Sequence, residues 1–319
     1  MIWVLIGIII ILILLLAGGF YVFNSVFLYN DQQKGDKESA LDPANIDSES
    51  DLMRPTAREY YKFREPYIEK FNKIFFKEVS ITSFDNLTLY GYLLEGNPKE
   101  VVICVHGYKS SMQEDFADRI EIYRKRGSTI LLLNDRAHGK SEGKYLGFSE
   151  HDKRDVARWV DLVNEMYYKP KIYLHGVSMG GATVIHCANE KLENVCGIID
   201  DCGFDSIENI SKYLIKDIYH MPYFPLGYLA WFWSIVITGI SFNTSKGEKC
   251  VSETDIPILF IHGKNDHFVP CSMSERMYKY CRSPKELHLI DNCGHAAAYM
   301  RAKDEYTAAV NRLLDGEFK

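Results

Sequence analysis

The first 30 residues contain no Asp, Glu, Lys or Arg. Within them Ile2 to Phe23 is almost wholly apolar, long enough to cross a hydrocarbon core of roughly 30 Å. No basic residue precedes the run, which argues against a cleaved export signal with its positive n-region. A buried core helix would not need so many consecutive Ile and Leu residues. We therefore expect residues 1–30 to be a single-pass transmembrane anchor, with the lipid membrane as a partner. Lys34 and Lys37 follow the run, and the positive-inside rule then favours a cytoplasmic over an extracellular domain.

Basic excess is also missing. Lys and Arg number 37 against 43 Asp and Glu, with no Lys/Arg cluster, so nucleic acid is not expected as a partner. The eight cysteines are scattered with no Cys-x-x-Cys pair, which gives no zinc pattern. Unpaired thiols suit a reducing compartment, although an even count leaves disulfides open. Gly-rich phosphate motifs and acidic clusters at metal-ligand spacing are absent too, so neither cofactor nor metal is expected. A second uncharged stretch runs from residue 218 to 245.

What is present divides into three parts. Residues 31–53 are polar and acidic without hydrophobic periodicity, as expected of a solvated tether. Residues 54–319 form the remaining domain, led in by an aromatic-rich helical segment up to Phe76. Val79–Thr82 and Leu87–Leu94 alternate around Asp85-Asn86 and predict an antiparallel hairpin. Continuous apolar runs follow at Val101–Val105, Thr129–Leu133, Ile172–Leu174, Gly197–Ile199, Pro257–Ile261 and Glu286–Ile290, as in strands buried on both faces of a parallel sheet. Amphipathic stripes lie between them: Phe116, Ile120 and Tyr123, ended by Gly127; Val156, Trp159, Val160, Val163 and Tyr167; and Tyr306, Val310 and Leu313. The alternation predicts an α/β doubly wound sheet, with active groups at the carboxyl ends of its strands.

The third buried strand ends in His175-Gly176-Val177-Ser178-Met179-Gly180-Gly181. Strand, tight turn and helix around Gly-x-Ser-x-Gly would expose a strained Ser178 hydroxyl. The Met179 amide would then open a helix, where it can stabilise a developing oxyanion. Other strand ends carry His106-Gly107, Asp135-Arg136-Ala137-His138-Gly139-Lys140-Ser141-Glu142-Gly143, His262-Gly263-Lys264-Asn265-Asp266 and Gly294-His295.

Taken in order, these motifs resemble the α/β-hydrolase superfamily over roughly Phe76 to Lys319. Within it the chain resembles bacterial serine-aminopeptidase-like and acyl-esterase-like hydrolases. The resemblance implies a mostly parallel sheet flanked by helices and a Ser-Asp-His order of functional groups. Ser178 would be the nucleophile, and His295, after the last strand, its base. Asp266 would be the acid; Asp201 or Asp200, at the end of the preceding strand, is the rival. The family's two oxyanion amides fall on Met179 and Tyr108. His106, His138, His175 and His262 compete with His295 by count, but each precedes Gly at a strand end, as in a structural turn.

The resulting expectation is a membrane-anchored serine hydrolase that cleaves carboxylic esters or thioesters through an acyl-enzyme, on a small-molecule acyl or peptidyl substrate. A peptidase or amidase could use the same groups. A catalytically silent binding module is the alternative of another class. Residues 205–249 are expected to form a lid insertion. Leu226–Ile240 within it would be too short for a second crossing at 1.5 Å per residue, and would instead lie over Ser178 and favour apolar acyl groups.

Overall fold

The computed structural model describes residues 2–29, 57–190 and 192–318. The tether expected at 31–53 lies outside the described residues.

One eight-stranded sheet organises the domain. Its strands are β1 (Lys77–Thr82), β2 (Thr88–Leu94), β3 (Asn97–Val105), β4 (Ser128–Leu133), β5 (Lys171–Val177), β6 (Val195–Asp201), β7 (Ile258–Gly263) and β8 (Lys285–Ile290). The order across the sheet is β1-β2-β4-β3-β5-β6-β7-β8. β1 and β2 form the antiparallel hairpin, and β2 joins β4 antiparallel. From β4 to β8 every pairing is parallel. The burial patterns explain the difference. β2 buries alternate residues, whereas β4 and β7 are buried at every position and present uniform apolar runs to helices on both faces.

The helices are α1 (Ile2–Phe27), α2 (Ala57–Phe71), α3 (Met112–Phe116), α4 (Ile120–Arg126), α5 (Asp152–Met166), α6 (Met179–His186), α7 (Ile207–Tyr213), α8 (Leu226–Thr238), α9 (Gly247–Ser252), α10 (Ser272–Tyr280), α11 (Ala298–Arg301) and α12 (Lys303–Leu314). α2, α3, α4 and α12 bury apolar side chains on one face of the sheet. α5, α6, α9 and α10 do so on the other. The stripe Phe116–Tyr123, which reads as one helix, is broken into α3 and α4. Ser111 caps α3 by accepting from the Glu114 amide. The break places Asp118 and Arg119 in the interior.

The carboxyl ends of the parallel strands carry a third apolar cluster, and α1 enters it. Most of α1 is exposed, but Phe23 is buried against Phe27 and Tyr145, and Phe27 against Phe148 and Phe242. Beyond the helix, Leu28 bridges Tyr145, and the Tyr29 amide donates to the Lys144 carbonyl. The helix end therefore rests on the domain before residue 30 is reached.

α8 packs mainly along α1 rather than over the sheet. A Cβ on Gly19 would collide with Leu229, so only glycine permits this approach. The segment nearer β7 is α7 with the π-helical turn Leu214–Ile218. There the Tyr213 hydroxyl donates to the His267 carbonyl.

Candidate active site

Ser178 sits between β5 and α6 with φ 56° and ψ −116°, a conformation strained for a residue with a Cβ. Two close approaches enforce the turn: a Cβ on Gly176 would strike the Gly180 carbonyl, and one on Gly180 would strike the Val105 carbonyl. The Ser178 side chain projects toward the loops after β7 and β8.

His295 Nε2 lies 2.9 Å from Ser178 Oγ, and His295 Nδ1 lies 2.7 Å from Asp266 Oδ2. All three residues are buried. Asp266 Oδ1 accepts from the Phe268 amide at 2.9 Å and the Val269 amide at 2.8 Å. Burial alone would raise the Asp266 pKa. Attraction to His295 and hydrogen bonds from His262 and His295 more than offset it and hold the carboxyl well below its usual range. An ionised Asp266 accepts the Nδ1 proton of His295. Nε2 is then left with a lone pair toward the Ser178 hydroxyl.

The rival carboxylates are engaged elsewhere. Asp201 Oδ2 accepts from Arg119 Nε and from the Tyr306 hydroxyl, each at 2.9 Å. Asp200 Oδ1 accepts from the Gly203 amide, and burial pushes its pKa up to about 7.

Of the competing histidines, His175 is sealed between the hydroxyls of Tyr123 and Tyr306 at 2.7 and 3.0 Å. His138 lies between the rings of His106 and Tyr29. His262 does more than form a turn. Its Nε2 lies 3.2 Å from Asp266 Oδ2 and 2.8 Å from the Val269 carbonyl, and its Nδ1 lies 2.7 Å from the Ser274 hydroxyl. Two acceptors at Nε2 require a proton there. Burial would lower its pKa, but the bond to Asp266 raises it.

The loop after β3 approaches Ser178 from the other side. A Cβ on Gly107 would lie 3.2 Å from Ser178 Cβ. The Gly107 amide donates to Asp115 Oδ2 at 2.7 Å, so it is already committed, and the next amide is that of Tyr108. The Tyr108 phenol does not face Ser178; it donates to the Val26 carbonyl of α1 at 2.9 Å. Lys109 Nζ donates to the Ser25 carbonyl at the same distance. These two groups satisfy carbonyls that the end of a helix otherwise leaves open, and the lysine charge suits that pole of the helix dipole.

Sequence reasoning missed two residues. Asp115 fixes Gly107. The guanidinium of Arg119 donates to Asp201, the Asp115 carbonyl and the Ala296 carbonyl beside His295, the last at 2.7 Å. No motif marks either residue: Gly107 lies eight positions before Asp115 outside any recognised spacing, and the Asp201 and Ala296 partners of Arg119 lie 82 and 177 positions away. Cys202 also lies close, its sulfur within 4.8 Å of ligand atoms of Asp266 and His295. A metal would need a thiolate there, yet burial pushes this thiol well above its usual pKa, and the other two groups already bond each other.

Two family models match the chain: Serine aminopeptidase, S33, over residues 96–205, and Serine hydrolase (FSH1), over residues 229–296. The esterase Pf2001 of Pyrococcus furiosus has a similar structure, with a TM-score of 0.63 and 26% identity over 77% of this chain and 94% of its own. This chain has the α/β-hydrolase fold. The hydrolase is also similar to the uncharacterized protein YqkD of Bacillus subtilis, 28% identical over 75% of this chain and 81% of that one. The uncharacterized membrane protein YNL320W of Saccharomyces cerevisiae is 28% identical over 50% of the hydrolase and 52% of its own length. The hydrolase is an enzyme of the serine hydrolase class.

Proposed function

We propose that the chain is a membrane-anchored hydrolase of carboxylic esters or thioesters, with Ser178 as nucleophile, His295 as base and Asp266 as the acid that orients it. The single observation carrying this reading is the hydrogen-bonded chain from Ser178 Oγ through His295 to Asp266, with a strained backbone beneath the serine. His295 Nε2 takes the hydroxyl proton as Ser178 Oγ bonds the acyl carbon. The carbonyl oxygen becomes an oxyanion facing the amides of Met179 and Tyr108. Asp266 stabilises the imidazolium. Collapse breaks the bond to the leaving alcohol or thiol, which takes the proton from His295. Water, deprotonated by the same imidazole, then releases the acid and restores Ser178.

The α1 helix is read as the anchor, with the domain on the cytoplasmic side. Removing it as an export signal would uncover Phe148 and Phe242, against which Phe27 packs. Residues 205–249 are read as the lid. The match to a serine aminopeptidase model favours amide hydrolysis as the second reading.

The test is a fluorophosphonate probe followed by mapping of the adduct, then comparison of acyl esters with aminoacyl anilides. We expect the label on Ser178 and none on Ser178→Ala, whose rate on esters falls by about 10³–10⁶ while the domain stays folded. Labelling elsewhere, or an unchanged rate, would end the assignment. Faster cleavage of anilides than of esters would select the peptidase reading.

A further inference from the structure

Two uncharged stretches separated by nearly 190 residues of sequence run side by side. Trp233 Nε1 on α8 donates to the Leu16 carbonyl of α1 at 3.0 Å, and its ring meets Phe20 edge-on at 5.3 Å. Gly18 and Gly19 receive Leu226 and Leu229. Close helix contact over small residues, with a polar side-chain donor returned to backbone, is how helices associate where no water is available.

The outward face of α8 is apolar as well. Tyr228, Phe232, Ile235 and Val236 are 45–57% exposed, and Phe224 is exposed beside Tyr228. No Asp, Glu, Lys or Arg interrupts residues 218–245. This face continues the exposed apolar surface of α1, a patch of the kind that marks an interaction surface.

The depth of α8 follows from α1. Val22, Phe23 and Phe27 pack on the domain, so Ile2–Tyr21 remains to cross the bilayer, about 30 Å at 1.5 Å per residue. Leu16 lies five residues inside that limit, which puts Trp233 about 8 Å below the boundary. Interfacial helices lie at about 5–10 Å, where Trp and Tyr are favoured.

One packed apolar cluster joins α8 to the residue beside Ser178. Trp231 stacks on Phe242, Phe242 on Phe27, and Phe27 meets Phe148. Met179, the neighbour of Ser178, belongs to the same cluster.

We propose that α8 lies in the bilayer leaflet from which α1 emerges, its outward face against lipid acyl chains, and that the substrate is a bilayer-resident acyl lipid reaching Ser178 from that leaflet. This rests on the reading of α1 as an anchor and of Ser178 as the nucleophile.

The test uses the full chain in phosphatidylcholine vesicles, with benzoylphenylalanine placed at Phe232, at Val236 or at Tyr168, which is exposed in the turn before the amino end of β5, at the opposite end of the sheet from Ser178. Illumination should give lipid adducts at 232 and 236 and none at 168. Absence of adducts at both α8 positions would overturn the leaflet placement. In a second arm, p-nitrophenyl palmitate dissolved in the vesicles is compared with aqueous p-nitrophenyl acetate. Phe232→Glu with Val236→Glu should lower the palmitate-to-acetate rate ratio at least tenfold. An unchanged ratio would overturn access from the leaflet. Lipid adducts without turnover of either ester, and without a fluorophosphonate label, would end the hydrolase reading and leave the position of α8 standing.

Discussion

Asp201 and Asp266 close neighbouring strands, and both are buried, yet their partners differ in kind. Asp266 bonds two imidazoles, whereas Asp201 bonds a guanidinium and a phenol. Asp266→Asn should lower kcat by about 10⁴, because an amide cannot hold His295 in the required tautomer. Asp201→Asn should change kcat far less but destabilise the fold by about 1–3 kcal/mol, since it removes one of the two carboxylates, Asp201 and Asp118, that face the buried Arg119 charge. Steady-state kinetics and denaturation midpoints on the two variants check this; the reverse ranking would move the acid to Asp201. Ser178, Asp266 and His295 could be picked out in the sequence as candidates because each follows a buried strand within a short motif, and the folded chain brings the three together. Arg119 and His262 were not, since what they do depends on atoms that only the folded chain brings near.

The elements of the sheet were legible for a similar reason. Uninterrupted apolar runs have few alternatives to a strand buried on both faces, and the hairpin announced itself by alternation. The insertion was harder to read. Its lack of charge predicted a hydrophobic helix, which α8 is, but not the α1 surface that α8 covers, because pairing between distant helices leaves no periodic trace. Gly19 is the residue on which that pairing turns. Gly19→Leu should drive α8 from α1 and lower the thermal midpoint of the full chain in micelles by several degrees, while Gly7→Leu, at an open position, should leave it within a degree. Equal midpoints would show that the close approach is dispensable. Along the other face of α8, Trp231→Ser should weaken turnover of long-chain esters more than of acetyl esters, as chain-length kinetics would show. An equal loss on both would remove the acyl-pocket role.

At the scale of the whole molecule, buried carboxyls set the pH dependence. Burial first, and the neighbouring Asp135 charge second, push Asp152 up to about 8; burial pushes Asp200 to about 7. Each holds a proton in the folded chain that the unfolded chain releases near pH 4. Their contribution to stability is therefore greatest at acid pH and falls as pH rises toward 8. Asp266 works in the opposite sense: its contribution is present above about pH 4 and is lost only as pH falls through its depressed folded-state pKa. Asp152→Asn should flatten the decline between pH 5 and 8 by about 1 kcal/mol or more, read from denaturant unfolding in micelles at both pH values. A slope equal to that of the parent chain would exclude Asp152 as its source.

The bond from Trp233 to Leu16 spans 217 positions, and a ribosome makes the chain from one end. For most of synthesis α1 exists without α8, its Gly18–Gly19 surface covered by whatever solvates it. With α1 in the bilayer that cover is lipid, and docking of α8 is then a displacement of lipid late in assembly, after β1 to β6 have been made. A nascent chain stalled at Ile218 should crosslink to lipid from position 19, and the finished chain should not. Crosslinking equal in both would mean that α8 never takes that surface from the membrane.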